Sequence, residues 1–89
     1  MLFECHITVS TEHAEHATAV AKAHHWKTSE IARDPVLGDK NFYYLTTHTK
    51  EYNEMWTRLR TTVHALEGLD VPILREKIEL IMYDTKVKV

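Results

Sequence analysis

One cysteine, two glycines and two prolines are all that the chain holds of the residues that staple, loosen or break a backbone. The single thiol, Cys5, excludes an intramolecular disulfide, and no Cys/His spacing matches a structural zinc site. No phosphate-binding glycine loop, nucleophile elbow or Cys–His pair is present. No apolar run approaches the roughly 20 residues that a membrane-spanning helix needs. The opening MLFECHITV carries Glu4 and no basic stretch, so no signal peptide is expected and the expected location is the cytoplasm. Positive charge is not in excess either. A formal net charge of −2 argues against non-specific nucleic-acid binding, which relies on a basic surface.

What is present is an ordinary globular composition, 44% hydrophobic and 27% charged. Eighty-nine residues suit one domain, taken as 1–89. A domain of this size buries roughly 60–65% of the surface its unfolded chain exposes. Its core is thin, which predicts self-association into a dimer or larger oligomer. No linker or low-complexity stretch interrupts the chain.

The pattern of apolar residues divides the chain into six elements. In FECHITV, Phe3, Cys5, Ile7 and Val9 alternate with Glu4, His6 and Thr8, which predicts a half-buried strand over 2–9. Ser10 or Thr11 then caps a helix over 11–25, with Ala14, Ala17, Val20, Ala21 and His24 along one face. His24 and His25 suit a helix end, where the dipole favours a cationic imidazole. WKTSEIAR (26–33) reads as a strand and DPVLGDKN (34–41) as a turn or loop. FYYLTTHT (42–49) has the aromatic and β-branched content of a strand. Tyr52, Met55, Trp56, Leu59, Val63 and Leu66 recur at helical spacing over 51–67 and predict a core-facing stripe. Gly68 is placed to end that helix. ILREKIELIMYD (73–84) reads as the last strand, with TKVKV as an extension or a loose tail.

This order, βαββαβ, predicts an α+β ferredoxin-like sandwich: a four-stranded antiparallel sheet with two helices on one face. The first and third strands would lie side by side at the centre, with the last strand flanking the first. The other sheet face is then open. The first strand sends Glu4, His6 and Thr8 to it, and the third strand sends Phe42, Tyr44, Thr46 and His48. With Ile78, Leu80 and Met82 as the core set, the last strand adds Arg75, Lys77, Glu79, Ile81 and Tyr83. Arg75 and Lys77 are expected to pair with Glu4 or Glu79 across strands.

Such a face suits a phosphate ester. Two imidazoles, His6 and His48, can serve as base and acid across one phosphoryl group, because imidazole titrates near neutral pH. Threonine hydroxyls and an arginine fork can hold its oxygens. The catalytic candidates are His6, Thr8 and His48. Tyr44, Thr46, Arg75 and Lys77 are candidate ligand-binding residues, and Arg33 and Asp34 join as second-tier candidates from the long loop. His-Ile-Thr at 6–8 resembles the His-x-Thr signature of two-histidine phosphodiesterases. That resemblance implies action on cyclic or 2′,5′-linked phosphates and roles for His6 and Thr8. Those enzymes carry the signature twice on two lobes, whereas this chain has length for one, and His48 is followed by Lys50 where a threonine is expected. A second histidine then comes from His48 or from a second subunit. Across ECHITV, WKTS, DPVLG, YLTTH, KIE and YDTK, the chain is also similar to a group of small uncharacterised single-domain proteins, which implies one compact domain.

Other readings of the residues are weaker. His13 and His16, at i and i+3, lack a third ligand for a metal. The chain carries no cofactor signature, and neither a metal nor a cofactor is expected. KNFYYL departs from the aromatic motif of RNA-recognition domains, and STEHAEH replaces the glycine-rich loop of acylphosphatases. Three uses of the open face stay in play. It can be a phosphoester-handling active site, or a binding site for an anionic small molecule or nucleotide. Alternatively, Phe42, Tyr44, Ile81 and Tyr83 can form a dry interface with another subunit or protein.

Overall fold

Alternation in β1 (Leu2–Ser10) puts Cys5, Ile7 and Val9 wholly inside and leaves Glu4 and His6 half-buried on the opposite face. The computed structural model describes residues 1–38 and 41–82. After β1 the chain passes through a 3-10 turn (Thr11–His13) into α1 (Ala14–His24), then β2 (Lys27–Ile31) and β3 (Phe42–Thr49). α2 (Tyr52–Gly68) and β4 (Arg75–Ile81) complete it. The fold is α+β, a single four-stranded sheet in the order β2-β3-β1-β4 with every neighbouring pair antiparallel. β1 and β3 are central and β4 flanks β1. Ala17, Val20 and Ala21 of α1 and Met55, Leu59 and Leu66 of α2 join Cys5, Ile7, Val9 and Leu45 in one core. The helices therefore share one face of the sheet. Among the described residues no helix is long and apolar enough to cross a membrane.

Several boundaries and burials differ from the sequence reading. Ser10 makes no side-chain cap bond, and α1 begins only at Ala14, after the 3-10 turn. His25 ends α1 in the left-handed region at φ 63°, and its N–H donates to the Ala21 carbonyl. Trp26 lies outside β2 and is buried in the core. On α2, Met55, Leu59, Thr62 and Leu66 form the buried seam. Trp56 lies about a quarter turn from that seam and is 40% exposed, and Tyr52 is more exposed still. The apolar stripe is therefore broader than the seam that is buried. Arg60 stacks over the Trp56 ring at 6.0 Å instead.

β4 has the expected phase, because Ile78 pairs with Cys5 and packs against the core. Leu80 and Met82, expected inside, are 46% and 82% exposed. Leu80 is opposite Phe3, near the end of the edge strand β4. Tyr83, Asp84, the TKVKV tail and residues 39–40 of the loop lie outside the described residues.

Candidate functional site

Strand register lays the second sheet face out in rows. Tyr44 of β3, Thr8 of β1 and Arg75 of β4 stand abreast, as do Thr46, His6 and Lys77, and then His48, Glu4 and Glu79. Neighbouring strands lie about 4.8 Å apart, so the side chains within a row are in reach of one another.

The loop after β2 covers the first row. Asp34 and Gly38 bond to each other's backbone at 3.0 Å in both directions, which closes a small turn, and Gly38 takes the positive φ of 97° that this turn requires. Asp34 is turned inward and only 2% exposed. A buried carboxylate needs partners, and Asp34 has them. Val36 N–H and Leu37 N–H donate to its Oδ1 at 2.8 and 2.9 Å, the Tyr44 hydroxyl donates to Oδ2, and the Arg75 guanidinium lies 3.8 Å from Oδ1. The Tyr44 hydrogen bond, with the Leu37 and Val36 amides and Arg75, holds the Asp34 carboxyl down at about 2. Burial, then Asp34 itself, pushes the Tyr44 phenol up to about 12.

This depression has a sign that solution NMR reads. A carboxylate with a folded pKa below its free value of 3.8 stabilises the fold above about pH 4, and the stabilisation is lost as pH falls towards 2. The Val36 and Leu37 amide shifts should therefore titrate with a midpoint near 2. A midpoint near the free value would mean that the carboxylate is not held as described.

Beside the loop, His6, Thr8, Ile31, Arg33, Pro35, Tyr44, Arg75 and Lys77 line a cleft of about 270 Å³. Six of the nine residues singled out from sequence line it, namely His6, Thr8, Arg33, Tyr44, Arg75 and Lys77, and Asp34 stands behind Tyr44 and Arg75. Thr8 is at the floor, only 2% exposed. Thr46 and His48 are not in the lining. Thr46 Oγ1 instead lies 2.9 Å from His6 Nδ1.

The residue that sequence reading underrated is Glu4. His6 Nε2 donates to its Oε1 and His48 Nε2 to its Oε2, each at 2.7 Å. An ionised carboxylate only accepts, so each Nε2 carries a proton; in the neutral His6 ring, Nδ1 then accepts from the Thr46 hydroxyl. Of the expected pairings of Arg75 and Lys77 with Glu4 or Glu79, Lys77 with Glu79 forms, though along one strand rather than across two, and neither cation pairs with Glu4. Arg75 faces Asp34, and Lys77 meets Glu79 of its own strand at 2.7 Å, which holds Glu79 below the usual carboxylate range. The pairing of Glu4 with two histidines was within reach of the sequence, because the polar phase of FECHITV already put Glu4 beside His6.

Of the four residues expected to form a dry patch, Phe42 is 4% exposed, the Tyr44 hydroxyl is tied to Asp34, Ile81 is half-buried, and Tyr83 lies outside the described residues. Cys5 packs in the core, where burial, followed by the charges of Glu76 and Glu4, pushes its thiol up to about 12, so it serves as a packing group. No family model matches the chain, and no curated protein matches it.

Proposed function

We propose that this domain, a ferredoxin-like sandwich, binds a phosphate-bearing small molecule or nucleotide in the cleft between the loop and the sheet. The strand order and the shared helix face support the fold assignment. The observation that carries the functional reading is the convergence of Arg33, Arg75 and Lys77 with His6 on one small concave surface. Asp34 sits within ionic range of Arg75 but beyond hydrogen-bond distance, and its own oxygens accept from Tyr44 and two amides. The guanidinium fork thus keeps donors for an incoming oxyanion. A cleft of about 270 Å³ suits a small ligand rather than a polymer.

The histidine geometry favours binding over two-histidine hydrolysis. Acid–base work across one phosphoryl group needs both imidazoles at the ligand, and His48 is engaged by Glu4 outside the cleft. The His-x-Thr likeness to two-histidine phosphodiesterases therefore supports a phosphate ligand more than their reaction. Cytoplasmic location and self-association belong to the same reading. A single buried thiol suits a reducing compartment, and β2 and β4 are sheet edges that a second copy can pair with.

The test is an NMR titration with inorganic phosphate, nucleoside monophosphates and cyclic nucleotides. Shifts are expected at His6, Thr8, Tyr44 and Arg75. Charge-assisted hydrogen bonds contribute about 1.5–3 kcal/mol, so Arg75→Ala should weaken binding roughly 10–100-fold. Shifts elsewhere, or none at millimolar ligand, would overturn the reading.

A further inference from the structure

Next to the cleft, the same face gathers a set of metal-ligating atoms. Glu4 and Glu79 are opposite one another on β1 and β4, and His6 is one row along. One carboxylate oxygen from each glutamate and one His6 ring nitrogen lie within 4.8 Å of one another. Two ligands on one tetrahedral zinc ion stand about 3.3–3.6 Å apart, given bonds of about 2.0–2.2 Å. Closing that gap takes side-chain rotation alone, because the strand ladder already fixes the backbones.

The surroundings match what a metal centre requires. His48 holds Glu4 Oε2, which leaves Oε1 towards His6, and Thr46 meets the far nitrogen of His6. Outer partners of this kind orient ligands and fix the imidazole tautomer. With a cation on Nε2, the ring proton moves to Nδ1 and donates to Thr46 Oγ1. The hydroxyl turns from donor to acceptor, so no net proton is lost. Two carboxylates balance a double positive charge, and an imidazole among them selects a transition metal over magnesium or calcium.

We propose that Glu4, His6 and Glu79 form a three-ligand site for a divalent transition metal, with zinc the best fit, and that His48 and Thr46 are its positioning residues. Three protein ligands leave a fourth tetrahedral position open. His6 belongs to both this site and the cleft, so a phosphate oxygen is the natural fourth ligand; that last link rests on the function proposed above. Lys77, now 2.7 Å from Glu79, would be displaced towards the cleft it already lines.

The experiment is calorimetric titration of the full chain with zinc chloride in phosphate-free buffer, with His6 ring nitrogen shifts read by NMR. One equivalent is expected, with Nε2 changing from a protonated to a metal-bound shift. Glu79 is exposed, so Glu79→Gln should keep the fold and lose that equivalent. Thr46→Val should weaken binding about 10–100-fold. His13→Gln/His16→Gln should leave binding intact, and Arg75→Ala should keep zinc while losing phosphate. The last variant separates failure of the metal site from failure of the phosphate reading. No binding at millimolar zinc, unchanged binding in Glu79→Gln, or loss in the His13/His16 variant would overturn the proposal.

Discussion

Asp34→Ala is expected to dismantle the wall of the cleft. The substitution leaves the Val36 and Leu37 amides and the Tyr44 hydroxyl without their acceptor and takes the counter-charge from Arg75. Leaving part-buried donors unpaired costs more than never having had the bond. Asp34 gathers the backbone pair with Gly38, two amide bonds and the Tyr44 bond, which makes it a main anchor of the loop among the described residues. Amide exchange at Val36 and Leu37 should rise to that of an unprotected loop, while β1 and β3 stay protected. Phosphate binding should fall by about tenfold or more, in line with the loss of one charge-assisted contact set. Asp34→Asn, which keeps an acceptor, should lie between the two. Retained protection at Val36 and Leu37 in Asp34→Ala would show that the loop is held by something else.

The largest effect on stability is expected from Ile7→Ala. Ile7 is fully buried at the centre of the central strand, between Leu45 and β4 and under both helices. Truncating such a side chain costs about 2–5 kcal/mol in transfer and cavity terms. A domain of this size has about 5–15 kcal/mol in total. With about 4–8 °C lost per kcal/mol, the melting temperature should drop by roughly 10–40 °C. Leu80→Ala is the matched control: it also removes a large apolar side chain, but from an exposed position, and should change stability by about 0.5 kcal/mol or less. Thermal denaturation followed by circular dichroism reads both. Equal effects would mean that the core is not where the burial places it.

Where local pattern dominated, reading the sequence matched the structure. Strict alternation in FECHITV and the aromatic, β-branched run FYYLTTHT carried strand phase, and with it the face on which His6, Tyr44, Thr46 and His48 stand. Helical spacing located α2 to within a residue at each end. It misjudged Trp56 and Tyr52, because periodicity reports direction and cannot report how wide the surface opposite is. Leu80 and Met82 show the same limit: their phase was apolar, yet both are exposed near the end of an edge strand. Of the electrostatic partners, Lys77 with Glu79 formed, along one strand rather than across two, and those of Arg75 and Glu4 were misread for a different reason. Cross-strand register put Lys77 opposite His6 and Glu79 opposite Glu4, so the nearest opposite charges were not those that charge counting suggested.

The elements, their order and the polar face of the sheet can be read from the chain alone, because they follow from periods of 2 and 3.6 along a continuous backbone. What that face does with its groups follows from how the domain packs. The inward turn of Asp34 beneath Arg75 depends on a loop folding back over a sheet edge, and the shared grip of two histidines on Glu4 depends on register between β1 and β3. Neither is a local property. Each brings together residues far apart in the chain, and their distances are set by packing of the whole domain.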